Sequence, residues 1–76
     1  MARAKNIVGG RVREARADHS HLTQDQLSAK LARDGIGIDR AGISKIENGQ
    51  RHVTDFELKA LAKALAVPSP WLLGER

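Results

Sequence analysis

The sequence lacks cysteine and tyrosine, and Phe56 and Trp71 are its only aromatic residues. The absence of cysteine excludes a disulfide framework, a zinc finger and an iron–sulfur centre. Two aromatic side chains are too few for a sheet that stacks the bases of single-stranded nucleic acid. No apolar run approaches the roughly 18 residues that span a bilayer, and the N-terminus lacks the apolar core of a signal peptide. A soluble cytoplasmic protein without a membrane partner is therefore expected.

The length of 76 residues limits the architecture to one domain, expected to fill residues 1–76. A doubly wound sheet and an α/β barrel both need a longer chain. No nucleophile–base pair, paired carboxylates or phosphate-binding loop is present, so neither an enzyme nor a bound cofactor is expected, and no effector site is evident. His19 and His21 do not suffice for a metal site, because zinc needs further ligands. Met1 favours a natural start, with a domain of a longer protein as the alternative.

Positive charge is concentrated in the first two thirds of the chain. Lys and Arg number 13 against 9 Asp and Glu, which gives a net charge of +4. Residues 1–51 carry ten basic and six acidic groups, whereas residues 52–76 carry three of each. A nucleic-acid partner and an ordinary solvated surface both fit this charge. If the partner is nucleic acid, the scarcity of aromatic residues favours duplex DNA read by a helix.

Helix-forming residues dominate and the alternating pattern of strands is absent, which predicts an all-α fold with five helices. Asn6 is expected to cap the first helix, over about 7–17. Gly9 and Gly10 weaken this helix, and they indicate either close packing against another helix or a frayed first turn.

Capping patterns mark the second and third helices. Thr23 and Gln26 have the form of a capping box, and the helix that follows ends near 33 or 34, before two glycines. Asp39 is expected to cap a third helix over about 40–47, which the turn at 48–49 ends.

Two further helices complete the predicted fold. Thr54 and Glu57 form a second capping-box pattern. Apolar residues then repeat with helical spacing over 58–65, which indicates core packing, with a partner-binding face as the alternative. Ser69 is expected to cap a short last helix over about 71–73 that closes the core.

The segments LTQDQLSAKL (22–31) and RAGISKIENG (40–49) resemble the Cro/cI-type (XRE) helix-turn-helix family of phage and bacterial repressors. The resemblance covers about 6–73 and implies a compact five-helix, lambda-repressor-like DNA-binding domain. The helix-turn-helix then occupies about 23–48. Its turn, 34–39, is longer than the tight turn usual in the family, so either the second helix runs a turn further or the loop bulges.

The resemblance also implies which residues contact DNA. The base-facing positions are Arg40, Ala41, Gly42, Ser44 and Lys45. The positions facing the DNA backbone are Gln24, Asn48, Gln50 and Arg51. Arg16 and Glu47 match positions that form a structural ion pair in some relatives. A major groove about 12 Å wide admits one helix, whose N-terminal residues meet base edges.

The function implied is a sequence-specific, duplex-DNA-binding transcriptional repressor. Two copies would read a palindromic operator with the helix at 40–47, as a homodimer formed through the C-terminal helices near Trp71. Such a protein is cytoplasmic and associates with the nucleoid when it binds DNA. The alternative is a helical protein-interaction module, for example an antitoxin-like one, whose DNA binding is weak or lost.

Overall fold

A computed structural model describes residues 3–75, and every regular element in that range is helical. The elements in chain order are α1 (Gly9–Arg13), a π-helical segment (Glu14–His19), α2 (Gln24–Arg33), α3 (Arg40–Glu47), α4 (Asp55–Leu65) and α5 (Ser69–Leu72). The predicted all-α, lambda-repressor-like fold with five α-helices is confirmed. None of the helices between residues 3 and 75 has the length and apolar character needed to cross a membrane.

The first helix differs from its prediction at both ends. It begins at Gly9, and after Arg13 it continues to His19 as a π-helical segment. The N-cap is Val8 and not the predicted Asn6, but Asn6 Oδ1 accepts the N–H groups of Val8 and Gly9 at 3.1 and 2.8 Å and so closes the turn that leads into the helix. The widened turn leaves no trace in a 3.6-residue apolar pattern, so sequence periodicity does not predict it.

The predicted N-caps of α2, α3 and α4 are confirmed. Both capping boxes are closed, with the threonine side chain accepting a backbone N–H and the Gln26 or Glu57 side chain accepting in return. Asp39 Oδ1 accepts the N–H of Gly42 at 2.7 Å. Each of these motifs joins residues three positions apart, so the local sequence is enough to predict it.

The predicted cap of α5 is wrong. Pro68 is the N-cap, and Ser69 is the first helical residue and makes no side-chain cap. The carbonyl oxygen of Pro68 accepts the N–H groups of Trp71 and Leu72 at 3.1 and 3.4 Å. Because these amides already have a partner, the serine hydroxyl has no capping role to fill.

The core lies between α1, α2, α3 and α4, and α5 closes it. Its largest fully buried side chains are Val12, Leu27, Leu31, Ile43, Ile46, Leu61, Leu65 and Leu72. Trp71 and Leu73 are half-buried and pack against this cluster. The apolar repeat of α4 therefore faces the core, as its spacing predicts, and α3 is held by its buried isoleucines.

Gly9 marks the closest approach between α1 and α3. A Cβ atom added at Gly9 would lie 2.9 Å from the carbonyl oxygen of Glu47 and would also overlap that of Ile46. A Cβ atom added at Gly10 would meet nothing within 4 Å. Close packing against another helix, one of the two explanations given for the glycine pair, therefore holds for Gly9 and not for Gly10.

Alanine substitutions at these two glycines are expected to act in opposite directions. Gly9→Ala should lower the free energy of unfolding by about 1–3 kcal/mol, because the methyl group would push α1 away from the α3 backbone. Gly10→Ala should raise it by up to about 1 kcal/mol, because alanine is the better helix former and the site is open. Urea unfolding followed by circular dichroism measures both; equal effects would contradict this packing.

Candidate nucleic-acid interface

One face of α3 is buried and the opposite face is exposed. Ile43 and Ile46 are 0% exposed and anchor the helix in the core. Arg40, Ala41 and Lys45 are exposed, and Ser44 is half-buried. Positions 40, 41, 44 and 45 follow the spacing of a single helix face, so these side chains project together from the surface. The structure thus brings four of the five predicted base-facing side chains onto one outward face.

The fifth position, Gly42, has a packing reason to be small. A Cβ atom added there would lie 2.9 Å from Ile38 Cγ2 and 3.1 Å from Asp39 Oδ1. Gly42 therefore packs closely against the turn before α3, where a side chain would not fit. The residue still lines the cleft beside the exposed face of α3.

The long turn before α3 is a bulging loop and not an extension of α2. α2 ends at Arg33, and Gly35 takes a positive φ of 79° that a continuing helix does not allow. Ile38 is buried, and its carbonyl oxygen accepts the Ser28 hydroxyl at 2.6 Å. Lys63 Nζ also lies 3.2 Å from the Asp34 carboxylate. The Ser28 hydrogen bond and the buried Ile38 thereby hold the loop and the start of α3 in place, and the largely exposed Lys63 adds only a weak link to α4.

Arg16 and Glu47 form a bidentate ion pair between the π-helical segment and the last residue of α3. Arg16 Nε donates to Oε2 at 2.6 Å and Nη2 donates to Oε1 at 3.0 Å. The side chains are 13% and 4% exposed, so water does little to weaken the pair. The hydrogen bonds to Glu47 raise the pKa of Arg16 above its ordinary value. This pair fixes the C-terminal end of α3 relative to α1.

Gln24, the first residue of α2, joins the same network. Its Nε2 donates to Glu47 Oε1 at 3.2 Å, and its side chain is half-buried. The carboxamide has two N–H groups, so one remains for an anion at the N-terminus of α2. A single carboxylate thus aligns α3 with Gln24, a position predicted to contact the DNA backbone.

Of the three remaining backbone-facing positions, two are exposed and one is bound within the protein. Asn48 and Gln50 are exposed on the loop that follows α3. Arg51 instead makes a bidentate pair with Glu57, with Nη1–Oε1 at 3.0 Å and Nη2–Oε2 at 2.9 Å. These hydrogen bonds raise the pKa of Arg51 and lower that of Glu57, so both groups are charged at neutral pH. Arg51 therefore stabilises the connection between α3 and α4.

Arg40 is only weakly held by its neighbour. Its Nη1 lies 3.8 Å from Asp25 Oδ2, and the two side chains are 69% and 71% exposed. An ion pair this exposed contributes about 0–1 kcal/mol, so Arg40 can exchange it for another partner at little cost.

Sequence reasoning missed the ties between the N-terminal segment and α3. Asn6 Nδ2 donates to the carbonyl oxygens of Ile46 and Arg51 at 3.1 and 2.8 Å. The Lys5 N–H donates to the carbonyl oxygen of Gly49 at 2.8 Å. These partners lie forty or more positions away along the chain, so the local pattern around Asn6 indicates only a capping role.

Comparison with known proteins places this geometry in a family. A family model described as helix-turn-helix matches residues 12–72. A search of curated proteins finds no match. The matched range contains α2, the long turn, α3, α4 and α5. The chain therefore belongs to the XRE-type helix-turn-helix family of DNA-binding transcription regulators and carries a Cro/cI-like DNA-binding domain.

Proposed function

We propose that this protein is a sequence-specific transcriptional repressor that inserts α3 into the major groove of an operator. The observation that carries the proposal is the exposed face of α3, where Arg40 and Lys45 project from a helix anchored by two fully buried isoleucines. A rigid helix with long polar donors on its outer face suits the donor and acceptor pattern of base edges in that groove. Arg40, at the helix start, is suited to the two acceptors of guanine.

Contacts to phosphates would set the register of α3 without reading sequence. Gln24 offers a free N–H at the start of α2, and Asn48 and Gln50 offer exposed amides after α3. In this proposal Arg51 acts indirectly, because its ion pair with Glu57 shapes the loop that carries Asn48 and Gln50.

We expect Arg40→Ala to reduce binding to the preferred site by about 1–3 kcal/mol and to relax selectivity at one base pair, because a bidentate contact to guanine is lost. The preferred site is first obtained by selection from a randomised duplex library, and affinities are then measured by fluorescence anisotropy. Arg33→Ala removes the same side chain type from the exposed end of α2 and should leave selectivity unchanged.

Two outcomes would contradict the proposal in different ways. If Arg40→Ala kept the wild-type selectivity, α3 would not be the helix that reads the bases. No enrichment of any duplex by the wild-type protein would favour the alternative, a helical module whose partner is a protein. Enrichment of a two-fold symmetric site, with half-sites about 34 Å apart, would support a dimer on a palindrome.

The homodimer proposed here uses the C-terminal helices. Trp71 is partly covered, with the Arg11 guanidinium 4.7 Å from its ring centroid and the His19 ring 5.9 Å away. A neighbouring apolar cleft, between the start of α4 and the end of α5, is lined by Leu58 and Leu73 and bordered by Ile7, which is 77% exposed. A second copy related by two-fold symmetry would cover these side chains on both partners.

A further inference from the structure

The chain segment before α1 lies against the loop that follows α3. The Lys5 N–H is hydrogen-bonded to Gly49, and the Asn6 side chain is hydrogen-bonded to the Ile46 and Arg51 carbonyls. Ala4 also approaches the loop, since a Cβ atom added at Gly49 would lie 3.1 Å from the Ala4 Cβ. Residues 3–6 therefore follow the loop in a fixed position, although the family match begins only at residue 12.

This placement adds two cations to the surface around α3. Lys5 lines the same cleft as Ala41 and Lys45, and with Arg3 it lines a second cleft shared with Asn48 and Gln50. Arg3 and Lys5 are both exposed. The N-terminal segment thus borders the face of α3 and the loop amides from one side.

The charges of this segment are not neutralised within the protein. Within the range 3–75, no ion pair involves Arg3, Lys5 or Lys45. The two acidic residues of the larger cleft are already engaged, with Asp39 capping α3 and Glu57 paired with Arg51. A patch of unpaired cations beside a groove-reading helix attracts the negatively charged backbone of a nucleic acid.

We propose that Arg3 and Lys5 form a second contact to the phosphates of the operator, which extends the interface beyond the helix-turn-helix. The inference rests on the proposed function, because it assigns further residues to the same DNA complex. Lys5 would contact a phosphate as a point charge and Arg3 through its guanidinium fork. Contacts to phosphates read no base, so they add affinity on every sequence. The ligand is the phosphodiester backbone of duplex DNA, alongside the loop after α3.

The test is the salt dependence of DNA binding by the full chain. Each phosphate contact contributes about 0.9 to the slope of log K against log salt. Because two copies bind the operator in the proposed dimer, the double variant R3A/K5A should make the slope shallower by about 1.8 for each copy, or about 3.6 for the dimer. It should weaken binding by the same factor on the selected and on a scrambled duplex. Lys5→Arg, which keeps the charge, should retain the wild-type slope.

Lys59→Ala is the matched control, because it removes one exposed cation from α4 beside Phe56, in a cleft that contains no residue of α3. It should leave the slope unchanged. If R3A/K5A kept the wild-type slope and selectivity while Arg40→Ala still weakened binding, the contact of Arg3 and Lys5 with phosphates would be wrong. The proposed function would stand. A wild-type protein that binds no duplex would overturn the proposed function and this contact with it. The variants keep the Lys5 N–H, and matching unfolding curves would show that the fold is intact.

Discussion

Glu47→Gln should lower the free energy of unfolding by about 3–5 kcal/mol, the loss typical of a buried ion pair that loses one partner. Glu47 is 4% exposed and accepts both hydrogen bonds from Arg16 as well as one from Gln24. A neutral carboxamide has one oxygen and one NH2 group, so one of these donors would face another donor. For a domain with about 5–15 kcal/mol of total stability, this is a large share.

Glu57→Gln is the control for that experiment. The Arg51–Glu57 pair is also bidentate, but its side chains are 31% and 16% exposed, so water can replace part of what is lost and the loss should be smaller than at Glu47. Glutamine also preserves the capping box at Thr54, because its side-chain oxygen can still accept the Thr54 N–H. Urea unfolding of both variants gives the comparison. Equal losses would mean that burial does not distinguish the two pairs.

The Glu47 change should also affect DNA binding if α3 acts as proposed. The carboxylate holds the end of α3 against Arg16 and holds Gln24 at the start of α2. Loss of this link would reduce the affinity for the selected operator even at temperatures where the variant remains folded. The Arg16–Glu47 pair would then contribute both to the stability of the fold and to the orientation of α3 on DNA.

The elements that sequence predicts well are those fixed by neighbouring residues. Thr23, Asp39 and Thr54 cap their helices as expected, and Gly35 and Gly49, the first glycines after α2 and α3, adopt positive φ values. The exposed face of α3 also follows from helical spacing alone. In each case the decisive contact joins residues within about one turn, so the local sequence contains the information.

Three features were not predicted from the sequence: the π-helical segment, the need for glycine at position 9, and the Arg51–Glu57 ion pair. The π-helical segment has no periodic signature, and Gly9 is required only because α3 passes close to it. Arg51 donates two hydrogen bonds to Glu57, and its contact with the DNA backbone stays a prediction. A charge in a sequence shows what a side chain can bind, and only the fold determines which partner lies within reach.

Asn6→Asp separates the local role of this residue from its distant one. Aspartate caps a helix as well as asparagine does, and its charge favours a helix N-terminus, so the local pattern predicts no loss of stability. The structure predicts the opposite, because the Ile46 and Arg51 carbonyls now receive hydrogen bonds from Asn6 Nδ2. A carboxylate oxygen would face these carbonyls without a proton between them.

We therefore expect Asn6→Asp to lower the free energy of unfolding by about 1–3 kcal/mol for each carbonyl left unsatisfied at neutral pH. The loss should shrink as the pH falls through the carboxyl pKa, ordinarily about 3.9, because a protonated acid can donate one hydrogen bond again. Asp39→Asn is the matched control, since Asp39 caps α3 through Gly42, three residues away, and either residue type serves there. Urea unfolding at neutral and acidic pH measures both variants. If Asn6→Asp matched the wild-type stability at neutral pH, the two long-range hydrogen bonds would not hold the N-terminal segment against α3, and the phosphate contact proposed for Arg3 and Lys5 would lose its fixed support.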